Sequence, residues 1–214
     1  MAFGGGRSTP IVRGLVALNA VVFGLWLLPD VPIQLMADHF LVSWNHLMEG
    51  RVWVLLTAVF SHHLLFHLLI NMIVLLSFGP PLERLMGGGP FLGFYLMAGV
   101  VGSLAHAVVS LTLMGTPELP ALGASSSIAG LLLLFALVFP RAKVLLFFIL
   151  PLPAIVAALA FIGIDIWGLV AQMEGGGLPI GHGAHLGGSL TGLLYFIVRG
   201  RKLRRKRSRT PLGP

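Results

Sequence analysis

Apolar residues run along this chain in six long blocks, roughly Ile11–Leu28, Leu55–Gly79, Phe91–Met114, Ser125–Phe139, Val144–Val170 and Gly183–Val198. Short breaks separate them, at Pro80-Pro81, Gly87-Gly88-Gly89-Pro90, Gly115 to Pro120, Pro140-Arg141 and Gly175 to Pro179. Blocks of this length with almost no charge predict membrane-spanning helices, because lipid leaves each segment to pair its own backbone polar groups. The pattern predicts an all-α polytopic membrane protein, a bundle of six transmembrane helices. Pro151 and Pro153 fall inside the fifth block and predict a kinked helix there. The first long connection, Pro29 to Val54, is amphipathic and carries Trp44, His46 and Trp53, which predicts an interfacial loop lying on the membrane surface. As a helix, Ser125–Phe139 covers only about 22 Å of a hydrocarbon layer about 30 Å thick. The segment Pro120 to Ala124 is therefore expected to descend without helical structure into a wet pocket and to start the helix at the serine.

Composition agrees with this pattern. The 214 residues are 57% hydrophobic and 10% charged, against about 25% charged in a soluble domain. No polar stretch is long enough for a second domain, so the reading is a tail at 1–9, a six-helix domain at 10–199 and a basic tail at 200–214. The absence of cysteine excludes disulfides and thiolate metal sites. Ile11–Leu28 is followed by Pro29-Asp30, not by a small-residue cleavage site.

The net charge of +7 comes mostly from the run Arg199 to Arg209. Beside a membrane helix, such a run is read as a contact for anionic lipid, and nucleic acid is not an expected partner. With six spans, 13 of the 14 basic residues fall on one face, and only Arg51 falls on the other. That asymmetry predicts that both ends are cytoplasmic. The expected location is a prokaryotic plasma (inner) membrane.

Three polar positions stand at membrane depth: His67 with Asn71, Ser125 in Gly123-Ala124-Ser125-Ser126, and His185 in Ala184-His185-Leu186-Gly187-Gly188. A polar side chain there costs free energy unless it has a partner or a role. His67 lies 16 residues before Glu83, Ser125 16 before Arg141 and His185 14 before Arg199. At about 1.5 Å per residue, all three sit roughly 21–24 Å above the inner edge. Each has a bland explanation. Ser125 can be a helix N-cap, and Ser126 and Ser127 can serve close packing. His185 adjoins Gly188 and Gly192, a small-residue seam that lets two helices approach. His67 and Asn71 share one helical face and can bond a neighbouring helix. A serine and a histidine at one depth on helices that can touch also supply a nucleophile and a base. His67 and Asn71 then supply hydrogen-bond donors for a developing oxyanion.

The order and spacing of these motifs resemble the rhomboid family of intramembrane serine proteases. They are Trp53 in the first loop, His62-x4-His67-x3-Asn71, Gly79-x3-Glu83, Gly123-Ala124-Ser125 and Ala184-His185-x2-Gly188-x3-Gly192. The resemblance covers nearly all six blocks. It implies that Ser125 attacks a peptide carbonyl in or near the membrane segment of a single-span protein. It implies that His185 is the general base, and that His67, Asn71 and the Ser125 backbone N–H bind the oxyanion. Trp53, His62, Glu83, Gly123, Gly188 and Gly192 are then structural supports. The resemblance implies a two-residue dyad without a buried aspartate, and no cofactor or metal. Two positions depart from the family pattern. Val54 follows Trp53 where arginine is usual, and Ser126 follows Ser125 where glycine is usual. These departures favour a rival, a rhomboid-like protein that binds transmembrane helices without cutting them. A second rival is a metal transporter using His62, His63, His67, His182 and His185. It is disfavoured because Asp165 is placed nearer the outer end of the fifth helix, away from their depth. His106 is expected to be a polar bridge between elements.

Overall fold

The computed structural model describes residues 8–146 and 150–209. Arg7 and the ends of both expected tails lie outside the described residues. Helix α1 spans Pro10–Leu27, with proline at its first position, where the missing N–H costs nothing. Three short helices follow, α2 (Ile33–Phe40), α3 (Trp44–Met48) and α4 (Val54–Thr57), and then a 3-10 turn at Ala58–Phe60. The long helices α5 (Leu65–Met86) and α6 (Gly88–Thr112) come next, and then α7 (Ser125–Val138), of 14 residues. A two-stranded hairpin pairs β1 (Lys143–Leu146) antiparallel to β2 (Leu150–Pro153). It leads into α8 (Ala154–Met173) and finally α9 (His182–Arg209). Among the described residues, α1, α5, α6 and α8 are long and apolar enough to cross a membrane.

Two boundaries differ from those expected. Helix α5 does not stop at Pro80-Pro81 but continues to Met86. Each proline removes a backbone donor, yet the turns beyond them are anchored from outside. The Glu83 carboxylate accepts the Ile11 N–H at 3.1 Å and the Val12 N–H at 2.9 Å. These are first-turn donors of α1 that have no partner within their own helix. Leu82, Leu85 and Met86 are buried beside them. The second difference lies at residues 143–146 and 150–153, which pair as antiparallel strands and do not start a kinked helix. Pro153 stands just ahead of α8, and Ala154 N–H reaches back to Ala142 O at 2.8 Å. A proline whose fixed φ suits the entry to a helix thus begins α8 instead of bending it.

The core lies where α5, α6, α7 and α9 meet, around Tyr95, Leu131, Leu134 and Leu75. Helices α7 and α9 touch backbone to backbone. A Cβ on Gly188 would overlap Ser126 O, one on Gly192 would overlap Gly130 O, and one on Gly130 would stand 2.6 Å from Gly188 O. The basic end of α9 folds against the bundle. Arg204 donates to Leu137 O at 3.1 Å, Arg207 donates to Val138 O, and Lys206 donates to Leu85 O at 3.4 Å. Leu137 and Val138 end α7 and Leu85 lies at the end of α5, so these cations meet carbonyls left unpaired at the negative ends of two helix dipoles.

Candidate active site

The segment before α7 is held open by the short helices of the first connection. Val42 and Ala121 exchange both backbone hydrogen bonds, at 2.9 and 2.8 Å, and Gly123 N–H bonds Ala58 O at 2.8 Å. Asn45 N–H adds a bond to Pro117 O at 3.1 Å. The backbone thus enters the bundle without helical structure, bends at Gly123 and becomes helix at Ser125, as the short fourth block predicted. Gly123 adopts φ +120°, and the His67 ring lies against its Cα.

Ser125 opens α7, and His185 lies on the first turn of α9. The α7–α9 glycine seam brings Ser125 Oγ to 2.9 Å from His185 Nε2. Both face a cleft of about 640 Å³ between α5, α7 and α8. His67 and Asn71 line the same cleft, as do the apolar Val74, Ile128 and Phe161. Asn71 spends one N–H on His67 O of its own helix, at 2.8 Å. The buried His62 stands behind His67, edge to face at 4.9 Å, and accepts Ala124 N–H at 3.4 Å. It precedes α5, and burial first and His67 second push its imidazole down to about 3, so it stays neutral and able to accept.

Trp53, Glu83, Val54, Gly188 and Gly192 sit away from the cleft, whereas His106 and Ser126 line it. Trp53 is 45% exposed, stacks on His39 and donates to His39 Nδ1 at 3.1 Å. Glu83 closes the far end of α5 onto α1. Gly188 and Gly192 form the α7–α9 seam. His106 bonds Leu119 O at 3.1 Å. Val54 is fully buried with Val42 and Ala58. Ser126 packs against Gly102 of α6, where a Cβ would overlap its own.

The structure corrects the placing of Asp165. It is 2% exposed, and its Oδ1 lies 2.9 Å from His185 Nδ1 and 2.8 Å from His182 Nδ1. The expectation of no buried aspartate fails: Asp165 does lie nearer the outer end of its helix, but that end is level with His182 and His185. Asp165 stands 11 residues past Ala154 and 8 before Met173 on α8, and α9 opens at that level, so its first turn carries His182 and His185 to the carboxylate. One signal was available beforehand. A carboxylate within an apolar span calls for a partner, and His182 and His185, three apart, share a helical face. Asp165, His182 and His185 hold ligand-type atoms within 4.8 Å of one another. In the structure Asp165 Oδ1 meets both Nδ1 atoms, and Oδ2 is buried without a hydrogen-bond partner.

A family profile described as Rhomboid domain matches residues 49–202. Rhomboid protein 1, mitochondrial, of Saccharomyces cerevisiae is 32% identical over 203 residues, covering 93% of this chain and 56% of that protein. RHOMBOID-like protein 12, mitochondrial, of Arabidopsis thaliana is 33% identical over 205 residues, 89% of this chain and 59% of its own. Presenilin-associated rhomboid-like protein A, mitochondrial, of Danio rerio is 34% identical over 191 residues, 86% of this chain and 46% of its own. The chain spans about half the length of these relatives. All three are mitochondrial proteins by name, which overturns the expectation of a prokaryotic plasma membrane with cytoplasmic ends.

Proposed function

We propose, from the premise that this chain belongs to the rhomboid family, that it is an intramembrane serine endopeptidase. It would cut a single-span membrane protein in or near its transmembrane segment. The observation that carries this reading is the 2.9 Å contact between Ser125 Oγ and His185 Nε2 in a cleft that also presents His67 and Asn71. Ser125 Oγ attacks the peptide carbonyl as its proton passes to His185 Nε2. The oxyanion is received by His67, the remaining Asn71 N–H and the Ser125 N–H, a first-turn donor of α7. His185 then gives that proton to the leaving amine. Water completes the cycle by attacking the acyl-enzyme, with His185 again as base. The apolar side of the cleft, at Val74, Ile128 and Phe161, suits the side chains of a membrane segment.

The two departures from the family pattern fit this reading. Val54 belongs to a packed apolar cluster, and Ser126 occupies room that Gly102 leaves on α6, so neither disturbs the Ser125–His185 contact. The bundle is read as six spans, α1, α5, α6, α7, α8 and α9, with α2 to α4 at the interface. The membrane would be mitochondrial. The exposed Arg199, Arg201, Lys202 and Arg205 would meet anionic headgroups.

The test is cleavage of a model single-span substrate in liposomes. Wild type, Ser126→Ala and Ser127→Ala should cut, and Ser125→Ala and His185→Ala should not. A fluorophosphonate should label wild type at Ser125. Cleavage by Ser125→Ala would remove the nucleophile assignment, and a folded wild type that binds the substrate without cutting or labelling would establish the non-cleaving rival.

A further inference from the structure

We propose that Asp165 is the positioning residue of the Ser125–His185 pair, so that the hydrolytic unit is a carboxylate–imidazole–hydroxyl triad and not a dyad. The inference rests on the serine-protease reading above. Its geometry is a line through one imidazole: Asp165 Oδ1 lies 2.9 Å from His185 Nδ1, and His185 Nε2 lies 2.9 Å from Ser125 Oγ. A carboxylate accepts only. It therefore holds the proton on Nδ1 and leaves the lone pair on Nε2, the one arrangement in which His185 can take the proton of Ser125.

Helix α8 is shaped around this contact. Phe161, Asp165 and Gly168 follow one another at helical spacing on one face. The Phe161 ring stacks on His185, with centroids 5.4 Å apart and planes 28° apart. Asp165, one turn on, receives both imidazole N–H groups on the same oxygen. Gly168 lies under the His182 ring so closely that a Cβ there would overlap three ring atoms. His182 is the second fixing point. Its N–H fixes the rotation of the carboxylate, and its own ring is held in place against α8. A buried carboxylate is costly unless hydrogen bonds compensate it, and this one sits in an otherwise small and apolar contact stripe, with Ala154 and Ala158.

During acyl transfer, the Ser125 proton moves to His185 Nε2 as the Oγ–carbonyl bond forms. His185 keeps its Nδ1 proton throughout, and Asp165 stays ionised beside the transient imidazolium. When the amine leaves, it takes the Nε2 proton, and the carboxylate returns to facing a neutral ring. No proton reaches Asp165, and no further reactant is needed.

The experiment uses the full chain in liposomes and reads kcat, KM, the fluorophosphonate labelling rate and Tm together. Asp165→Asn, nearly isosteric and uncharged, should lower kcat and labelling rate at least about tenfold, with KM within about twofold and Tm near that of wild type. Asp165→Glu should recover part of the loss. Near-normal kcat and labelling in Asp165→Asn, with wild type active, would overturn the proposal and leave the protease reading standing. A wild type that neither cuts nor labels would overturn both. A measurement that needs no Asp165 variant is 15N NMR of histidine-labelled wild type, assigned by the signal lost in His185→Ala. Neutral His185 should carry its proton on Nδ1, and a proton on Nε2 would overturn the assignment. So would inhibition by EDTA that added Zn²⁺ reverses, since the three side chains would then be metal ligands.

Discussion

The His67 ring rests on Gly123: a Cβ at that glycine would stand 2.7 Å from His67 Cε1. The backbone there also has φ +120°, a conformation that side chains rarely adopt. One position thus carries both the turn that opens α7 and the seat of a proposed oxyanion donor.

Gly123→Ala should therefore lose about 1–3 kcal/mol of stability from backbone strain and, separately, displace His67. Gly50→Ala is the control, because Gly50 has φ +82° but open space around it. Both variants should lower Tm, and only Gly123→Ala should lower kcat in the folded fraction. Equal kcat in the two would remove His67 from the oxyanion site.

Asn71→Ala removes a donor aimed at charge that exists only in the tetrahedral intermediate. Loss of one such donor lowers kcat by about 10²–10³, or roughly 3–4 kcal/mol. The bond it breaks in the resting protein runs to His67 O within α5, so Tm and KM should change little. A destabilised variant with near-normal kcat would instead make Asn71 a packing residue.

Restoring the family residue, Val54→Arg, would place an unpaired cation in the fully buried cluster with Val42 and Ala58. That cluster backs the Val42–Ala121 bridge. A loss of about 3 kcal/mol or more is expected, read as a lower Tm and poorer accumulation, with no gain in kcat. A rise from inactive to fully active would mean that the natural chain is a non-cleaving binder.

Acid should loosen the first connection in a defined window. Hydrogen bonding to Arg51 holds the Asp38 carboxyl below its ordinary value, which is about 3.9. The folded state thus prefers the ionised form. The stabilisation is complete above that ordinary value and disappears as pH falls below it, through the lowered folded value. The Tm advantage of wild type over Asp38→Asn should be constant near neutrality and shrink below about pH 4. An advantage that persists unchanged into stronger acid would show that the pair does not act through its charge.

What could be read from the chain follows the range of the forces involved. The start of α7 at Ser125 was legible because length, glycine and serine all act locally. The passage of α5 through Pro80-Pro81 was not, since what anchors it, Glu83 on Ile11 and Val12, joins residues about seventy positions apart. Residues 143–153 misled for another reason: a continuous apolar run suits a strand or a helix equally. The meeting of Asp165 with His185 was hidden for the same reason as Glu83's, since it depends on how α8 and α9 pack and not on either segment alone. The Ser125–His185 pairing survived because the glycine seam that makes it is written in the sequence.

Helix α9 is one uninterrupted rod of 28 residues, about 42 Å long, with His185 near one tip and Arg204 to Arg207 near the other. Mechanically, this makes it a lever. The arginines seated on the last carbonyls of α7 fix its far end, and the glycine seam fixes its middle. A load applied to the basic end has no hinge in which to dissipate before it reaches the imidazole. Slippage of α9 along α7 by a single residue, about 1.5 Å, would carry His185 out of step with Ser125. The fastening of the charged end is in this sense a gauge that keeps two reacting atoms in register across the thickness of the bundle.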